Sequence, residues 1–122
     1  MNEDHLLEAA EQVRREQRVD RWTALMLVFL KVLERIELPK SLAASCDLAT
    51  RYWRDGEVTR VELQNERHET WVFLDELIHR GQSESDSAIL ARATLSVLTP
   101  LRDDDAWFDT VEWFAKWTSG RR

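Results

Sequence analysis

The stretch Trp22-Thr23-Ala24-Leu25-Met26-Leu27-Val28-Phe29-Leu30 decides the fold. Only Thr23 interrupts its apolar character. A membrane-spanning helix needs about 20 apolar residues, so this run is less than half a span. It does not alternate apolar with polar residues, as a half-buried strand does. Extended at helical spacing, it gives one stripe of Trp22, Leu25, Met26, Phe29, Leu33 and Ile36. Leu27, Val28, Leu30 and Val32 widen that stripe almost all round. A helix apolar on every side belongs in the middle of a protein, so the spacing predicts a central helix over about residues 20–38.

Working outward, the same periodicity predicts five more helices. The first covers about residues 3–18, with Leu6, Leu7, Ala10 and Val13 on one face. Its acidic start and basic end complement the helix dipole. Pro39 stops the central helix, because the residue before a proline avoids the α region. The third helix then carries Leu42, Cys46, Ala49 and Trp53, and Gly56 suits a left-handed cap after it. Thr59-Arg60-Val61-Glu62 has the capping-box form and opens the fourth. Leu63, Trp71, Leu74, Leu77 and Ile78 are its expected apolar face. Ser83 or Ser85 caps the fifth, which carries Ala88, Ala91, Leu95 and Leu98. Asp103-Asp104-Asp105 opens the sixth, with Trp107, Val111 and Phe114 facing inward. Residues 119–122 read as a frayed tail. No segment has strand periodicity. The expectation is an all-α, single-domain bundle of about six helices over residues 1–122, with short connections.

Composition narrows the function classes. Three Gly and two Pro are too few for a turn-rich β-sandwich, and 43% hydrophobic residues with six Trp exclude a disordered chain. Seventeen basic against 23 acidic residues give a charge of −6, which disfavours nucleic acid as a partner. The one cysteine, Cys46, can form no internal disulfide and fits a reducing cytoplasm. The charged N-terminus lacks signal-peptide character, and no membrane association is expected.

No catalytic motif stands in the sequence: there is no Gly-rich phosphate loop, HExxH, CxxC or GxSxG. Asp75 and His79 lie at i and i+4, a spacing that can hold a metal ion, but a third ligand is wanting and their face opposes the apolar one. Cys46 sits among small apolar residues and reads as packing. The expectation is therefore no enzyme, no cofactor and no metal. Arg14, Arg15, Arg18 and Arg21 form the one basic cluster, and Glu11, Glu16 and Asp20 alternate with them as intramolecular partners.

The tryptophans are the oddity. Trp22, Trp53, Trp71 and Trp107 fall on expected core faces. Trp113 and Trp117 lie at i and i+4, rotated about 100° from the inward stripe of the last helix. One explanation packs them against the N-terminal helix. The other makes them an exposed anchor for a partner, since Trp with a charged rim marks interface hot spots. Asp103, Asp104, Asp105, Asp109 and Glu112 surround them. These acids are either a solvated helix start or a face that docks a basic surface. The candidate partner-binding set is thus Asp103, Asp104, Asp105, Asp109, Glu112, Trp113 and Trp117.

One further segment carries a resemblance. Ala49-Thr50-Arg51-Tyr52-Trp53-Arg54-Asp55-Gly56-Glu57-Val58-Thr59, followed by Glu62-Leu63, Arg67 and Trp71, resembles the small helical immunity proteins of bacterial polymorphic toxin systems. The likeness covers about residues 49–80, and its matched positions have structural rather than binding roles. The aromatic-rich last helix departs from that class. The resemblance implies a cytoplasmic antitoxin that binds one cognate toxin domain. Two alternatives stand beside it: a homodimeric regulatory or adaptor protein joined through Trp113 and Trp117, and a phage-encoded inhibitor of a host defence complex.

Overall fold

The computed structural model describes residues 2–100 and 104–120, the side chain of Asp104 excepted. Six helices follow in order: α1 (Glu3–Gln17), α2 (Arg21–Glu34), α3 (Lys40–Thr50), α4 (Arg60–His79), α5 (Asp86–Val97) and α6 (Trp107–Thr118). No strand occurs among the described residues. The all-α bundle expected from periodicity is the fold observed.

α2 is the centre. Nine of its fourteen residues are buried, and it packs against α1, α3, α5 and α6. One core cluster draws side chains from all six helices. Two aromatic pairs join α2 to α6: Trp22 with Trp107 at 5.9 Å, and Phe29 with Phe114 stacked at 3.8 Å. Each pair member lies seven residues, or about two helical turns, beyond the previous one on its own helix. The order is the same on both, so α2 and α6 run in the same direction. α4 packs on α3 and α5, leaving its outer side open.

The helix ends follow local chemistry. Asn2 and Asp20 accept backbone N–H groups at the starts of α1 and α2. The capping box forms: Glu62 N–H donates to Thr59 Oγ1 at 3.1 Å, and Thr59 N–H to Glu62 Oε1 at 3.3 Å. Of the two serines before α5, Ser85 is the cap. Gly56 takes the left-handed conformation (φ 65°) after α3.

Several expectations need correction. α2 ends at Glu34, not near residue 38. Arg35 and Ile36 bond back to Val32 and Leu33, three residues away, which tightens the last turn before Leu38 meets Pro39. The third helix reaches about residue 54 as expected, but its end, Arg51–Asp55, winds as a wider π-type turn, on which the half-buried Trp53 donates its indole N–H to the Val97 carbonyl at 2.8 Å. On α4 the buried line is Leu63, Thr70 and Leu74, flanked by Phe73 and Leu77. Trp71 and Ile78, expected inside, are 40% and 41% exposed. They lie about 100° from Thr70 and Leu77, off the line. α6 begins at Trp107, after a 3-10 turn at Asp104–Ala106, with Ala106 at the cap position. The acids thus precede the helix, while Asp109 stands in its first turn. Asp103 lies outside the described residues, and the expected tail is described only as far as Gly120.

These placements fix an order of stabilities, measurable by chemical denaturation. Phe29→Ala should cost about 3–5 kcal/mol, as for a large buried aromatic. Trp53→Phe should cost about 1 kcal/mol, because it leaves the Val97 carbonyl without its donor. Trp71→Ala should stay under about 1 kcal/mol, as exposed positions do. A Trp71 loss as large as that of Phe29 would return Trp71 to the core.

Candidate partner-binding groove on the last helix

The inward face of α6 is fixed by Trp107, Val111, Phe114, Ala115 and Thr118, all buried. That phase leaves Trp113 and Trp117 on the flank. They stack on each other with ring centroids 5.7 Å apart and planes inclined by 27°. Trp113 is 48% exposed, and Trp117 is half-buried. The Lys116 ammonium lies 5.0 Å from the centre of the Trp113 ring, a distance at which the ring face attracts a cation.

Both rings line a groove of about 350 Å³, together with Trp22, Ser96, Thr99, Ala106, Asp109 and Thr110. No residue of α1 is among these, so the groove itself is bordered by the start of α2 and the end of α5. α1 also packs against α6. Of the seven residues expected at the face, the groove gathers Asp109, Trp113 and Trp117. Asp105 and Glu112 are exposed but do not line it. Asp103 and the Asp104 side chain lie outside what is described. Phe108, 72% exposed on the same helix, is an apolar surface residue that sequence reasoning did not single out.

Three of the four arginines of the basic cluster have partners within the chain. The Arg14 and Arg15 guanidiniums both pair with Glu11. The Arg14 side chain, by hydrogen bond and charge, holds the Glu11 carboxyl down to about 2, against an ordinary 4.5. Arg21 lies 4.0 Å over the Trp107 ring. The His79 ring bonds the Asp75 backbone carbonyl at 2.8 Å, not the Asp75 carboxylate. Among the described residues, no group of three His, Cys, Asp or Glu is placed to hold a metal ion.

A second cavity, of about 410 Å³, lies between α1, α2 and α3, where periodicity alone gave no hint of one. Val13, Leu27, Leu30 and Ile36 give it an apolar wall, and Lys31, Glu34, Asp47 and Arg54 put both signs of charge around it. The signal that could have found it is the small volume of Ala43, Cys46 and Thr50 on α3, opposite long leucines on α2. Arg54 is itself paired with Asp55 at 2.9 Å.

Cys46 lines this cavity. Burial pushes its thiol up to about 11; the Thr94 hydroxyl, 4.0 Å away, opposes that shift and the Asp47 charge adds to it. The ordinary value is 9.0, so folding favours the neutral thiol. The associated stability is full below pH 9 and falls away as pH climbs toward 11. A thiol that titrates near 11 rather than 9.0 holds about a hundredfold less thiolate at any pH below both values. Alkylation of native Cys46 at about pH 8 should therefore run about a hundredfold slower than in the denatured chain, as followed by mass spectrometry. Equal rates would mean an accessible, ordinary thiol. Comparison of the chain with protein-family models, with curated proteins and with solved structures finds no match.

Proposed function

We propose that the chain is a cytoplasmic immunity protein: it neutralises a cognate bacterial toxin domain by one-to-one binding, without catalysis of its own. The observation that carries this reading is the half-exposed, stacked Trp113–Trp117 pair beside Asp109. An exposed indole on a rigid helix is costly to leave in water, and tryptophan is the residue most enriched among interface hot spots. Asp109 in the groove, with the exposed Asp105 and Glu112 just before and on the same helix, supplies negative charge near it. Such charge speeds encounter with a positive surface, in a way that salt weakens. A toxin that cuts nucleic acid or binds nucleotides has such a surface at its active site, and an acidic plug competes there with phosphates. The segment at 49–80 supports the same class through its resemblance to immunity proteins. No helix among the described residues is long and apolar enough to cross a membrane.

The test is co-expression of the tagged chain with the C-terminal toxin domain encoded by the adjacent gene. The expected result is a stable one-to-one complex with toxicity abolished. Asp109→Lys combined with Glu112→Lys should weaken that complex tenfold or more, at about 1.4 kcal/mol per factor of ten. Thermal unfolding should barely change. Equal losses of binding and stability would make the acids structural. No complex, with a sharp homodimer peak instead, would overturn the immunity reading in favour of self-association through Trp113 and Trp117.

A further inference from the structure

The groove on α6 combines features that point to one kind of side chain. Its wall is a pair of stacked indoles, and among its described lining residues the charged one is a carboxylate, Asp109. Ser96, Thr99 and Thr110 add hydroxyls. The ring face of Trp113 already holds a cation, the Lys116 ammonium. A guanidinium is planar, weakly hydrated and always charged, so it stacks on indoles and donates to a carboxylate in one pose. A lysine ammonium is more strongly hydrated and lacks the flat face. Trp22 adds a second clue. It lines the groove at 5% exposure, and its indole N–H has no hydrogen-bond partner among the described residues. A peptide carbonyl would satisfy such a donor, and a free cation would not.

We propose that this groove takes an arginine side chain of the partner protein, its guanidinium laid against Trp113 and Trp117 and paired with the Asp109 carboxylate. The inference rests on the toxin-binding reading for who the partner is, and not for the chemistry of the groove. Trp113 and Asp109 are then specificity-determining residues, which distinguish an arginine-bearing surface from one rich in lysine. Lys116 competes for the ring, so removing it strengthens the site.

The experiment uses the full chain and the indole N–H resonances, assigned by replacing each Trp with Phe in turn. The probe is N-acetyl-arginine amide, titrated to its solubility limit, against N-acetyl-citrulline amide as the uncharged isostere. The expected result is a saturable shift of the Trp113 and Trp117 signals with the arginine compound alone. Asp109→Asn should weaken it severalfold, and Lys116→Gln should tighten it about two- to fivefold. No saturable shift, or the same shift with citrulline, overturns the proposal. The two readings fail separately. Arginine binding without a toxin complex would remove the partner and leave the site standing. A toxin complex as tight in Asp109→Asn as in the unaltered chain would keep the partner and remove the arginine site.

Discussion

Everything in this molecule depends on covering α2 on all sides. A helix with nine buried residues in fourteen cannot rest on a single neighbour, so α1, α3, α5 and α6 surround it. The Phe29–Phe114 stack, with both rings wholly buried, sets where α6 sits along and around α2. The Trp22–Trp107 contact two turns earlier fixes its direction. With both pairs in place, α6 has no freedom to rotate. Its second apolar stripe is held on the flank of its inward face, beside the start of α2 and the end of α5. The groove is thus a geometric consequence of the core: the pairs that bury Phe114 and Trp107 are what hold Trp113 at the surface.

The bundle was legible because its signals are local and repeated. The all-round apolar run and the capping box each act within a few residues and formed as read; Pro39 precedes α3, but α2 ends earlier, at Glu34. Phase on α4 was not legible in the same way. Trp71 has the stronger hydrophobic claim, yet Thr70 takes the buried position. Thr70 bonds its hydroxyl to the Glu66 carbonyl at 3.0 Å, which satisfies its polar group within the helix. Opposite it on α3 stands Ser45, whose hydroxyl donates to Glu66 at 2.7 Å and lies 3.4 Å from Thr70. Two small, internally satisfied residues let α3 and α4 approach closely, and an indole at that point would hold them apart. The size of the neighbour decided the phase, and one helix's sequence does not contain it.

The candidate site divides on the same principle. That Trp113 and Trp117 form a separate stripe follows from counting along one helix. What they face depends on which helix lies beside them, and the start of α2 and the end of α5 were not predictable from spacing. The acids separate for a related reason. Asp109 stands one turn before Trp113 and enters the groove, whereas Glu112, rotated by about 100° from Trp113, does not. The 3-10 turn at Asp104–Ala106 separates Asp105 from α6, whereas Asp109 and Glu112 stand on the helix itself.

Charge balance distinguishes the two cavities as sites. The α1–α2–α3 cavity is the larger, but Lys31 and Arg54 share its lining with Glu34 and Asp47, and Arg54 is already paired with Asp55. A ligand there would gain contact with apolar walls and little net electrostatic attraction. Its thiol is held neutral by burial, so it offers no nucleophile either. The α6 groove is smaller, and none of its described lining residues is basic; the Lys116 ammonium lies across the Trp113 ring, 5.0 Å from its centre. An intramolecular cation on an exposed indole is a weak contact, worth about 0.5–1 kcal/mol at an open site. A partner's guanidinium that also reaches the carboxylate and excludes water gains more than Lys116 gives up. Of these two cavities the smaller is therefore the one whose described lining suits a positive group, and the chain's excess negative charge favours one too.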